Sequence, residues 1–190
     1  MAKTLAGETS MTRYAAFLRG INVGGRKPVK MEDLRKTFAA LGFQNIETVV
    51  ASGNVIFDAA EPGVGALVEG IEGKLNQVFG HEIGILVRSL KELQDLARLN
   101  PFKKIEVTPQ TRLYVTFLSQ KPKKRLKIPH ESSGKGFRIL RVSDREVCSV
   151  VTLSPSWGTT DSMAVLEKEF GKRITTRNWN TITKILQFAS

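Results

Sequence analysis

The sequence predicts an α+β protein of two closely packed subdomains, the first ferredoxin-like and the second a related α+β unit. Three observations carry this reading. The hydrophobic pattern of the first half runs strand, helix, strand, strand, helix, strand, an order that folds as one antiparallel sheet with both helices on one face. The second half carries helices and strands of its own. The 190 residues are 41% hydrophobic and 25% charged, an ordinary globular composition in a chain long for one simple domain. Folding at this length buries roughly 70% of the unfolded surface, so the core needs no metal or disulfide.

The elements follow in order. Residues 1–12 form an expected flexible extension, 13–89 the ferredoxin-like subdomain and 90–190 the second subdomain with a C-terminal helix. Tyr14 to Asn22 reads as a strand entering a glycine-rich basic loop. Met31 to Leu41 places Leu34, Phe38 and Leu41 on one helical face, with Gly42 as its stop. Ile46 to Ala51 and Val55 to Phe57 read as strands about the turn Ser52-Gly53-Asn54. Ala66 to Phe79 has a helical stripe of Leu67, Ile71, Leu75 and Val78, and Ile83 to Val87 is a fourth strand. Leu90 to Leu99 is helical and ends at Asn100-Pro101. Leu113 to Leu118 is a strand. Residues 120–136 form a basic loop with a short strand or turn at Leu126 to Ile128. Phe137 to Val142 and Val147 to Leu153 pair as a hairpin. Met163 to Phe170 is a helix capped by Thr160 or Asp161. Arg177 to Asn180 opens a last helix whose apolar face is Ile182, Ile185 and Leu186. No internal repeat is visible.

Composition removes several classes of function. No apolar run approaches the ~18–20 residues of a membrane span, and the N-terminus lacks the apolar core of a secretory signal. The single Cys148 excludes an intramolecular disulfide and lies in an apolar strand pattern, as a buried structural thiol does. The expected setting is soluble and cytoplasmic. One cysteine and two separated histidines, His81 and His130, make no zinc site, so no metal and no cofactor are predicted. A net charge of +11 permits attraction to anionic metabolites or nucleic acid without selecting between them.

The motifs are weighed on their chemistry. Gly20 to Lys27 invites a phosphate-loop reading, but Arg26 stands where the lysine belongs and Pro28 follows Lys27. Glu32 and Asp33 then occupy the first helical turn and would repel a phosphate there. A glycine turn with positive φ explains the loop, and a non-standard anion site built from Arg19, Arg26 and glycine amides is the functional alternative. Ser52 lacks the surroundings of a nucleophilic serine. An RNA-recognition motif shares the strand order, but its aromatic stacking platform is missing. The run Lys121, Lys123, Lys124, Arg125 and Lys127 is most simply a solvated face.

Four stretches together resemble the domain-of-unknown-function 1697 family of bacterial proteins: Leu18-Arg-Gly-Ile-Asn-Val-Gly-Gly25, the helix ending Ala40-Leu-Gly42, Ser52-Gly-Asn-Val-Ile-Phe57, and Thr175-Thr-Arg-Asn-Trp-Asn-Thr181. The resemblance spans nearly all of the chain after Arg13. It implies two α+β subdomains, each with ferredoxin-like character, and no reaction. The chain departs from the family at Trp157-Gly-Thr-Thr-Asp-Ser162, where such proteins often carry a basic residue.

The leading expectation is a module that binds a small anionic ligand, with cryptic enzyme activity left open. Its candidate ligand-binding residues are Arg19, Asn22, Gly24, Gly25, Arg26, Ser52, Asn54, Arg177 and Asn180. A charge-driven, non-specific nucleic-acid binder is the alternative, and a scaffold or dimerisation protein a third. The sequence sets no oligomeric state.

Overall fold

The computed structural model describes residues 11–22, 28–60, 63–123, 126–131, 136–155 and 159–189. The fold is α+β, with two antiparallel sheets and five helices. The first sheet is built from β1 (Met11–Leu18), β2 (Gln44–Thr48), β3 (Asn54–Ala60) and β4 (Ile85–Ser89), in the order β2-β3-β1-β4. The second is built from β5 (Thr111–Leu118), β6 (His130–Glu131), β7 (Phe137–Val142), β8 (Glu146–Thr152) and β9 (Ile174–Asn178), in the order β6-β7-β8-β5-β9.

Side chains alternate across a strand, and β1 uses both faces. Tyr14, Ala16 and Leu18 join one core with α1 (Met31–Ala39) and α2 (Val64–Phe79), through Leu34 and Phe38 on α1 and Leu67, Ile71 and Leu75 on α2. Ala15 and Phe17 point the other way, into a central core shared with Val115, Phe117, Cys148 and Val150 of the second sheet. Burial on both faces is why β1 reads as a continuous apolar run. The central core is closed by Leu90, Leu93 and Leu96 of α3 (Leu90–Arg98) and by Ile182 and Ile185 of α5 (Trp179–Leu186). A third core lies on the far face of the second sheet, where Leu118, Phe137, Ile139 and Ile174 pack with Leu166 of α4 (Thr159–Phe170). Cys148 is buried in the central core, and loss of solvent around the thiol pushes its pKa up to about 12.

Several sequence expectations are corrected. β1 begins at Met11, two residues inside the stretch expected to be a loose extension. Thr160 and Asp161 fall within α4 rather than before it. The basic loop carries its short strand at His130–Glu131, not at 126–128. The last helix starts at Trp179, with the Asn178 side chain accepting from the Asn180 amide, because the preceding five residues form β9.

The two halves share a local pattern around β1 and β5, which the sequence alone did not reveal, although no helix stands between β5 and β7 among the described residues and the second sheet has a fifth strand. Phe17 on β1 lies opposite Leu86 of β4, and Phe117 on β5 lies opposite Thr175 of β9. Two residues beyond each partner stands a buried arginine, Arg88 on β4 and Arg177 on β9. The helix that follows is capped by Ser89 in the first half and Asn178 in the second. Tyr14 to Leu18 therefore matches Tyr114 to Leu118.

Candidate functional site

The site begins where the two sheets meet. Phe17 and Phe117 stack with ring centroids 4.3 Å apart and planes 18° from parallel. Each ring carries an arginine from the opposite half. The guanidinium of Arg177 sits 5.6 Å from the Phe17 centroid, and that of Arg88 sits 5.3 Å from the Phe117 centroid. The hydrogen bonds are reciprocal in the same way: Arg177 donates to the Leu18 carbonyl at 2.6 Å, and Arg88 to the Leu118 carbonyl at 2.8 Å. Such self-complementary contacts are those of an isologous interface, here within one chain.

Arg177 is the more completely held. Nε donates to Asn54 Oδ1 at 2.6 Å, and Nη1 to Thr175 Oγ1 at 2.8 Å and the Thr176 carbonyl at 3.0 Å. Nη2 adds longer bonds, each 3.3 Å, to the carbonyls of Ser52 and Gly53. All acceptors are neutral. Burial alone therefore acts on the charge and brings the pKa down to about 10. Arg88 shows the same depression, to about 10, from burial first and then from repulsion by Arg145. Its Nε is buried without a hydrogen-bond partner among the described residues. The difference lies in the residue opposite each phenylalanine. Asn54 faces Phe17 and reaches Arg177, whereas Glu146 faces Phe117 and turns instead to the Ser143 hydroxyl.

The other expected site residues are distributed around this centre. Arg19 reaches across to the second half, donating from Nε to the Ile174 carbonyl at 2.8 Å and from Nη2 to the Lys172 carbonyl. The Asn54 amide donates to the Val49 carbonyl at 2.7 Å and to Ser52 Oγ at 3.1 Å. Asn22 clips its own loop by donating to the carbonyls of Val29 and Ala51 and accepting from the Val29 amide. Arg19, Ser52, Asn54 and Arg177 are thus brought together. Asn180 is not with them: it lies exposed in the first turn of α5 and contributes its backbone to the helix cap. Gly24, Gly25 and Arg26 lie outside the described residues. The position of Arg177 also differs from expectation, since it is a buried strand residue rather than the opening of a helix.

Gly53 sets how closely the turn approaches β1. Its φ is +74°, and a Cβ there would lie 2.5 Å from Ile21 Cδ1 and 3.0 Å from Leu18 Cβ. An L-residue in this conformation costs about 1–2 kcal/mol, and the overpacking adds about 1–3 kcal/mol. Gly53→Ala is expected to lower the melting temperature by roughly 8 °C, measured by circular dichroism. A change under ~2 °C would show that the turn moves aside freely.

Beside the arginines opens a cleft of about 1400 Å³ walled by both halves. Its floor includes Leu18, Arg19, Ser52 and the β9 segment Arg173 to Arg177. One helix of each half lines it: α2 presents Glu69, Glu72 and Asn76, and α4 presents Met163 and Glu167. Glu82 stands in the connection between α2 and β4. Glu72 is engaged structurally, accepting from the Ile85 amide at 2.9 Å. Among the described residues, Glu69, Glu82, Glu167, Arg19 and Arg173 take part in none of the ion pairs. The acidic cleft residues were missed because they lie on three separate segments with no common motif. The one signal available was the spacing of Glu69, Glu72 and Asn76, which puts them on one stripe of α2 beside its apolar face.

No helix among the described residues is long and apolar enough to cross a membrane. No curated protein matches the chain. The fold is similar to that of the conserved bacterial protein SP0830 from Streptococcus pneumoniae, with a TM-score of 0.65 at 23% identity over 95% of this chain and all of that one. The family model described as "Protein of unknown function (DUF1697)" matches residues 11–147, a span holding both phenylalanines, the Gly53 turn and the β1–β4 sheet. The chain belongs to this family of proteins of unknown function.

Proposed function

We propose that the protein is a binding module for a small anionic ligand seated in the cleft between the halves. The observation that supports this most is that Arg19, Arg173 and Arg177 line the cleft floor and, among the described residues, none of them forms an ion pair with the glutamates of the walls. Arg177 lends its field but no donor, because its hydrogens are already spent on internal acceptors. Arg19 keeps Nη1 free of hydrogen bonds among the described residues, and Arg173 is exposed. A charge at a partly desolvated wall acts far more strongly than one in bulk water.

The carboxylates of Glu69, Glu82 and Glu167 narrow the class. They oppose a multiply charged pyrophosphate and accept readily from hydroxyl or amino groups. The best match is a small monoanion bearing several hydroxyl or amino donors, such as a sugar acid, hydroxy acid or amino acid.

A thermal-shift panel of such compounds, with nucleoside triphosphates as contrast, tests this. A ligand at ~100 times its dissociation constant adds about 2.7 kcal/mol to stability. The expected shift appears with a hydroxylated or amino monoanion and disappears in Arg173→Glu. No shift with any monoanion, or one that persists in Arg173→Glu, would remove the proposal.

The strand order β2-β3-β1-β4 and the packing of α1 and α2 on one face support a ferredoxin-like first subdomain. The repeat supports a related second one. It also favours a boundary between Arg98 and Thr111 over one at Leu90, because α3 follows β4 as α5 follows β9. The lone buried thiol agrees with a reducing, cytoplasmic setting.

A further inference from the structure

A second concavity, of about 390 Å³, lies where the turn after α3 meets β7. It does not involve the cleft. Its lining includes apolar Leu99, Pro101, Ile105 and Leu140. Asn100, Lys103, Lys104 and Arg141 complete the described wall. Leu140 and Ile105 are partly buried against the central core, so the groove has a firm apolar base. Leu99, by contrast, is 52% exposed, and Val107 just beyond is 67% exposed. Exposed apolar surface marks an interaction site where it is contiguous and rimmed by polar groups, and here Leu99 continues into the apolar lining of the groove.

The charge says what kind of partner fits. Lys103, Lys104 and Arg141 are exposed, and among the described residues none of them forms an ion pair. Some surface cations nearby do find carboxylates: Lys91 and Arg98 on the neighbouring helix share Asp95. Among the described residues no carboxylate lines the groove. Three cations around an apolar base complement an apolar anchor flanked by acidic groups. We propose that this groove docks a short acidic peptide segment of a partner protein, with one or two aliphatic anchors over Leu99 and Ile105 and carboxylates on Lys103, Lys104 and Arg141. A groove of this size holds a few side chains, so the expected binding is weak and transient.

The test uses the full chain and a fluorescein-labelled decapeptide in which two leucines are flanked by four glutamates. Fluorescence anisotropy is read at near-physiological salt, with a lysine-for-glutamate peptide as contrast. The acidic peptide is expected to bind and the basic one not. Lys104→Glu combined with Arg141→Glu should weaken binding about tenfold or more. Leu99→Asp, at an exposed position, should weaken it by at least a similar factor, through the lost anchor and the added like charge. Lys123→Glu, an exposed charge reversal on the distant basic loop, should leave it within about twofold. Absence of binding, an unchanged affinity in Leu99→Asp, or an equal loss in Lys123→Glu would overturn the proposal. The last result, or displacement of the peptide by single-stranded RNA from Leu99→Asp and parent alike, would assign the binding to net charge.

Discussion

Arg177→Met is expected to lower stability by about 3–5 kcal/mol, the cost of leaving buried partners of a charged group unpaired. Two opposing effects decide the size. Burial works against the cation, and the fall of its pKa to about 10 corresponds to about 3 kcal/mol. Against this stand four bonds of 3.0 Å or less from a charged donor, each worth about 1.5–3 kcal/mol. The bonds win, and methionine leaves Asn54 Oδ1 and the Leu18 carbonyl without that donor. The urea midpoint should fall by roughly 1 M or more. Arg177→Lys should recover little, because an ammonium lacks the planar fork that reaches Asn54 and Leu18 together. A midpoint within ~0.3 M of the parent for Arg177→Met would mean that the bonds merely offset desolvation. The pH dependence has a definite sign. The folded pKa lies below the unfolded value, so below about pH 10 both states hold the proton and this residue adds no slope. Above about pH 10 the unfolded chain still holds the proton that the folded one releases, so this group's contribution rises with pH until the unfolded arginine titrates too.

This arginine also shows where a sequence stops being legible. β1 was readable because its face pattern is dictated by apolar side chains. β9 was not, because Ile174-Thr-Thr-Arg-Asn178 looks like a polar approach to a helix. Its arginine is buried by backbone carbonyls from the other half, and carbonyls carry no side-chain signature. The same reason explains Arg19, whose acceptors at residues 172 and 174 lie far along the chain. The grouping of Arg19, Ser52, Asn54 and Arg177 was legible from the motifs. Its dense internal bonding was not. The repeat was hidden because Tyr14 to Leu18 and Tyr114 to Leu118 share only tyrosine, phenylalanine and leucine. Their equivalence rests on strand register rather than residue identity.

The stacked phenylalanines test whether the halves form one cooperative unit. Phe17 is 0% and Phe117 1% exposed, so each substitution to alanine should cost about 3–5 kcal/mol through lost burial and the cavity it leaves. The two should not be additive, because each ring is the other's stacking partner. Once Phe17 is gone, Phe117 has already lost that contact, and the double variant should cost less than the sum by about 0.5–1.5 kcal/mol. Each ring also carries the arginine of the opposite half, so damage at either should weaken both. Urea unfolding of the parent should follow a single transition by fluorescence and circular dichroism alike, because the central core draws on both sheets and on α3 and α5. Strict additivity, together with two resolved transitions, would mean that each half is stable on its own. The cleft between them would then be a gap between independent units, free to open and close. A single transition with measurable coupling would instead make the aromatic stack the fixed base against which the cleft walls are held, the preorganised geometry that small-ligand binding favours.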